Sequence, residues 1–134
     1  GNFSLPFAKY GGNVTAVECD KRLVAVGREN TTRHGLQKQL EFVESSVEKF
    51  LGRDQKAHEV DILVLDPPRS GIGPLCASLP SADRVVLVSC HLPSFVRDAK
   101  NFIDRGWELK RIIPYDMFAQ TSYVEILSLF QRKV

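Results

Sequence analysis

The stretch VDILVLDPPR, residues 60–69, decides the fold. Its aliphatic run is too short for a buried helix and has few polar positions. That is the pattern of a strand covered on both faces in a parallel sheet. Pro67 and Pro68 close it, because proline offers no amide proton to a ladder and disfavours helix in the residue before it. Asp66 is left at the carboxyl end of the strand, on a stiff turn. The signature recurs at residues 84–89, RVVLVS, which end at Cys90, and more briefly at residues 13–18, NVTAVE, which end at Glu18. Residues 39–43 form a weaker strand.

Between these strands the apolar period turns helical. Residues 3–9 predict a short helix ahead of the break at Gly11-Gly12. Asp20 suits the N-cap of a helix whose stripe is Leu23, Val24 and Val26 and which ends at Gly35. Ser45 and Glu48 have capping-box spacing and start one or two turns through Phe50. Residues 72–79 form another short helix. Residues 93–105 carry Phe95, Val96, Phe102 and Ile103 at helical spacing, and Gly106 ends that helix. Residues 107–114 and 123–130 are two closing strands joined by a polar segment. Alternating units with continuous apolar strands predict an α/β fold: a doubly wound, mostly parallel sheet with helices on both faces.

Composition agrees with one such domain over residues 1–134. The chain is 43% hydrophobic and 25% charged with a formal net charge of +2, which excludes a disordered, collagen-like or coiled-coil chain. That charge is too mild to declare nucleic-acid binding by itself. Cys19, Cys76 and Cys90 have no zinc-site spacing and form no CxxC, so a reduced, cytoplasmic protein without a metal is expected. No apolar run reaches the roughly 18 residues of a membrane span, and no membrane partner is expected.

Ligands of open α/β sheets sit outside the carboxyl ends of the strands. Glu18, Asp66 and Cys90 are all there. Gly1-Asn2 before a helix, with Glu18 at the next strand end, has the layout of half a nucleotide-binding unit, in which the acid accepts ribose hydroxyls. A surface glutamate after an edge strand explains Glu18 as well. A helix begins just after Cys90, and its N-terminal dipole favours negative charge there, although a core cysteine is the competing explanation. Glu125 sits awkwardly at the start of an apolar strand, so it is exposed, paired or functional. It also departs from the carboxyl-end rule.

Taken in order, GNFSLP, VECD, DPPRSG, VSC and the closing DMFAQTSYVE resemble one family, the S-adenosylmethionine-dependent RNA (uracil-5-)-methyltransferases. The similarity covers essentially the whole chain, and DPPRSG, SC and QT-x-x-VE together are highly specific. The resemblance implies the class I, Rossmann-like methyltransferase fold and a carboxyl-terminal catalytic domain fragment. It implies Cys90 as nucleophile and Glu125 as base, with S-adenosylmethionine as cofactor contacted by Gly1, Asn2, Glu18 and Asp66. Arg69, Gln120 and Thr121 are assigned to the substrate, a uridine in transfer or ribosomal RNA, and Arg97 lies near enough to meet RNA phosphates. Against the family pattern, His91-Leu92 replace Asn-Pro, with the proline one place later at Pro93, and Tyr123 stands where His is frequent. The chain opens at what looks like the last glycine of the cofactor loop. The first, central strand and the upstream RNA-binding module are therefore expected to be absent, and exposed sheet edges invite homo-oligomers. A cytosine-5 methyltransferase of RNA or DNA and a truncated, non-catalytic binding module are the rival expectations.

Overall fold

The computed structural model describes residues 1–52, 59–117, 119–121 and 123–133. Contacts divide the chain into two compact units, Gly1–Arg53 and Asp54–Val134, each with its own apolar cluster.

The first unit runs α1 (Ser4–Lys9), β1 (Val14–Glu18), α2 (Lys21–Arg33), β2 (Leu40–Glu44) and α3 (Val47–Leu51). Strands β1 and β2 are parallel, in register from Val14 opposite Leu40 to Glu18 opposite Glu44. Asp20 caps α2 as expected, accepting from the amides of Arg22 at 2.8 Å and Leu23 at 3.4 Å. The buried line of α2 is Val24, Gly27 and Thr31, whereas Leu23 and Val26 face solvent, against the expected stripe. Gly27 explains the difference. The helix comes so close to Phe42 that a β-carbon at Gly27 would stand 2.6 Å from the ring, so only this glycine face can pack there. The cap of α3 is Ser46, one residue later than expected, and its hydroxyl accepts from the Lys49 amide at 3.2 Å. The Ser45 amide instead bonds the Glu18 carbonyl at 3.0 Å, which keeps the backbone extended for one more residue.

The second unit runs β3 (Val60–Leu65), a 3-10 turn (Gly73–Ala77), β4 (Ala82–Ser89), α4 (Leu92–Asp104), β5 (Trp107–Tyr115) and β6 (Glu125–Arg132). Its sheet has the order β3-β4-β6-β5. Strands β3 and β4 pair in parallel and β6 runs antiparallel to both of its neighbours, so β6 alone departs from the parallel pattern while β5 keeps the direction of β3 and β4. Val85, Leu87, Ile126 and Phe130 of the sheet pack on Phe95, Ala99 and Phe102 of α4, with Phe102 4.9 Å from Phe130 between ring centroids. Val96 and Ile103 are exposed, because the buried line follows positions 95, 99 and 102 and the next residue lies about 100° round the helix. Strand β3 is also barer than expected. Val60 and Ile62 are exposed, and only Leu63 and Leu65 join the core. Among the described residues β1 pairs only with β2 and β3 only with β4.

Candidate functional site

Strand direction assembles the site in the second unit. Parallel β3 and β4 bring their carboxyl ends to one edge of the sheet. Because β6 is antiparallel to β4, its amino end lies at that same edge. The last pair of that ladder is Ser89 with Ile126, and one further step in the same register would put Cys90, at the bend that follows β4, opposite Glu125. Directly opposed residues in antiparallel strands point to the same face, with β-carbons about 4.5–5.5 Å apart. Alternation adds a third member. Leu65 and Leu87 are register partners on the core face, so Asp66, one residue on, falls on the face shared by Cys90 and Glu125. Thus Glu125 obeys the strand-end rule through chain reversal, which a sequence-order argument does not show.

Cys90 is half-buried and is followed by His91, which caps α4 in extended conformation. Ser94 Oγ donates to the His91 carbonyl at 2.9 Å and lies 3.0 Å from His91 Nδ1. His91, which follows Cys90, thus shares a hydrogen-bonded start of α4 with Ser94.

Arg69 lies with its guanidinium 4.4 Å from the centre of the Tyr123 ring, and Nη1 donates to the Tyr123 hydroxyl at 3.4 Å. This contact ties the loop after β3 to the segment leading into Glu125. Thr121 Oγ1 accepts from the Tyr123 amide at 3.2 Å. Gln120 has φ +63°, the only positive φ outside glycine among the described residues. A side chain in that region costs about 1–2 kcal/mol and is characteristic of functional loops. Phe118 and Ser122 of this motif lie outside the described residues. Arg97, expected near RNA phosphates, is exposed and bonds Asp98 and the Ser70 carbonyl, the latter at 2.6 Å.

In the first unit, Glu18 ends β1 half-buried, with Oε1 accepting from the Asp20 amide at 2.8 Å. Its second oxygen has no partner among the described residues. Gly1 and Asn2 are exposed just before α1, and the Gly1 carbonyl accepts from the Leu5 amide at 3.1 Å. Concavities of about 630 Å³ in the first unit and 310 Å³ in the second are lined by neither Asp66, Cys90 nor Glu125.

Desolvation raises the Asp66 carboxyl above its ordinary 3.8. Such a group favours the folded state when protonated, and that contribution is lost as pH rises through the raised value. Asp66→Asn is therefore expected to melt higher than the parent at pH 7, with the difference vanishing toward pH 3. A lower melting temperature at pH 7 would mean that the carboxylate is held by a favourable partner instead.

Sequence reasoning missed Asp98, which is 1% exposed and bonded to the loop after β3. The signal was an acid inside the buried line of an otherwise apolar helix face.

A family model described as tRNA (Uracil-5-)-methyltransferase matches residues 1–133. The 23S rRNA (uracil(1939)-C(5))-methyltransferase RlmD of Acidithiobacillus ferrooxidans is 36% identical over 135 residues, covering 98% of this chain and 31% of that protein. The chain thus spans about a third of the length of such relatives. The solved METTL16 methyltransferase domain superposes with a TM-score of 0.69 at 13% identity, over 98% of this chain and 56% of that one. SMU.776 in complex with SAH gives 0.66 at 14% identity, over 87% and 38%. These two likenesses establish the class I, Rossmann-like methyltransferase fold.

Proposed function

The chain belongs to the tRNA (uracil-5-)-methyltransferase family, and from that premise we propose that it methylates carbon 5 of uridine in RNA through a covalent cysteine adduct. The observation that supports the proposal is the β4–β6 register, which pairs Ser89 with Ile126 and whose continuation by one step would bring Cys90 opposite Glu125. Carbon 5 of uracil is too weak a nucleophile to accept a methyl group unaided. Addition of the Cys90 thiolate to carbon 6 moves the ring electron pair toward carbon 5 and its enolate. Carbon 5 then takes the methyl group. Glu125 removes the carbon 5 proton, the electron pair re-forms the ring double bond, and the carbon 6–sulfur bond breaks to release the thiolate. A uridine in structured RNA must be turned out of its stack to reach the sulfur.

S-adenosylmethionine fits the donor chemistry, since its sulfonium supplies the electrophilic methyl group and SMU.776 holds the demethylated product. Glu18, with one carboxylate oxygen uncommitted at a strand end, suits the ribose hydroxyls, and Gly1, Asn2 and Asp66 are further proposed contacts. Arg69, Gln120 and Thr121 are proposed for the RNA. Because the relative's name specifies 23S rRNA, ribosomal RNA is the first substrate to test and transfer RNA the second.

The experiment is transfer of a labelled methyl group from S-adenosylmethionine to each RNA by the intact gene product, followed by nucleoside analysis. Labelled 5-methyluridine is expected. Labelled 5-methylcytidine would favour the cytosine-5 alternative, and no label in either RNA would favour a binding module.

A further inference from the structure

The turn that carries Arg69 is fastened to α4 rather than left as a free loop. Pro67 and Pro68 stiffen its first half, and the Gly71 amide closes a turn onto the Pro68 carbonyl at 2.8 Å. The second half hangs on one buried carboxylate. Asp98 Oδ2 accepts from the Ile72 amide at 2.7 Å, and Oδ1 accepts from the Gly73 amide at 3.2 Å. Arg97 completes the strap, with Nη2 2.8 Å from Asp98 Oδ1 and 2.6 Å from the Ser70 carbonyl. Gly71, at φ +76°, lies so close that a β-carbon there would collide with the Asp98 carboxylate and the Arg97 guanidinium. An acid is costly in a core and is retained only where its bonds are all used. Here they are spent on two loop amides and on the Arg97 guanidinium.

What that loop presents is Arg69, an exposed guanidinium stacked on Tyr123 with no carboxylate partner among the described residues. We infer that Asp98 is a positioning residue: through the Ser70–Gly73 turn it holds Arg69 in place to meet the RNA substrate. Nothing in this requires Asp98 to touch RNA or cofactor. The inference rests on the proposed methyl transfer to RNA. Fixing a binding side chain in advance removes the ordering cost from association, so loosening the strap should weaken RNA binding and spare the chemistry.

The test is a double-mutant cycle on the intact gene product with Asp98→Asn and Arg69→Ala. Asp98→Asn is expected to raise KM for RNA about tenfold, a loss of roughly 1.4 kcal/mol. Its kcat at saturating RNA and its KM for S-adenosylmethionine should stay within about twofold. Arg69→Ala should give the same signature, and the double variant should be no worse than Arg69→Ala alone, because both changes remove one interaction. Should Asp98→Asn fail to fold, Arg97→Gln serves instead. It removes the bond to the Ser70 carbonyl and the ion pair with Asp98 but leaves the Asp98 bonds to the amides, and a smaller KM-only rise is expected. Additive effects in the cycle, or kcat and both KM values changing together, would overturn the positioning role while leaving the methyltransferase function standing. A parent protein that transfers no methyl group to RNA would overturn the function and this role with it.

Discussion

Cys90→Ala in the intact gene product is expected to abolish covalent capture of RNA containing 5-fluorouridine and to lower methyl transfer by about 10⁴-fold or more. Fluorine cannot leave carbon 5 as a cation. An enzyme that adds a thiolate to carbon 6 therefore completes methyl transfer and then stalls as a protein–RNA adduct. The parent protein with S-adenosylmethionine should form a band that survives denaturing electrophoresis and contains both protein and RNA. In Cys90→Ala that band should vanish, while the melting temperature changes little because the residue is only half-buried at a strand end. A surviving adduct in the variant would move the nucleophile elsewhere. Cys19 is exposed and Cys76 is buried with its thiol pushed up by desolvation, which disfavours the thiolate there.

Glu125→Gln separates the two halves of the reaction. The carboxylate is needed only after the methyl group has arrived, when the carbon 5 proton must leave so that the carbon 6–sulfur bond can break. The variant should therefore still transfer methyl groups in a single turnover. Multiple turnover should fall by about 10²- to 10⁴-fold, the usual scale for loss of a general base. The diagnostic result is accumulation of a methylated adduct on RNA that contains ordinary uridine, where the parent accumulates none. If single-turnover methyl transfer fell as steeply as turnover, Glu125 would be acting before or during methyl transfer, and the base for elimination would have to be sought elsewhere on that sheet edge.

Much of the site was legible from short windows of chain. Asp66 and Cys90 each follow an aliphatic run ended by a breaker or a helix start, so hydropathy period and proline geometry place them at strand ends without any knowledge of neighbours. Asp20 was legible as a cap for the same reason: its partners, the amides of Arg22 and Leu23, are two and three residues away. Where short-range rules compete, precision fell. Ser45 and Ser46 are both able to cap α3, and a hydrogen bond to Glu18, 27 positions away in the chain, decided for Ser46. On α2 and α4 the apolar residues span more than one stripe. The depth of approach at Gly27 and the fit of Ala99 beneath the sheet selected which line was buried.

By itself the sequence determined the alternation of strands and helices, the strand ends that carry Asp66 and Cys90, and, through its motifs, the family. The tertiary structure alone decided that β6 runs against β4, and therefore that Glu125, at the amino end of β6, lies at the sheet edge where β4 leads into Cys90. It also decided that Asp98 of one helix holds the turn that presents Arg69. Both are matters of pairing between residues more than twenty positions apart. A strand's own residues set its period and its ends, but its direction and register come from backbone hydrogen bonds to a partner, and those bonds exist only once the chain has folded.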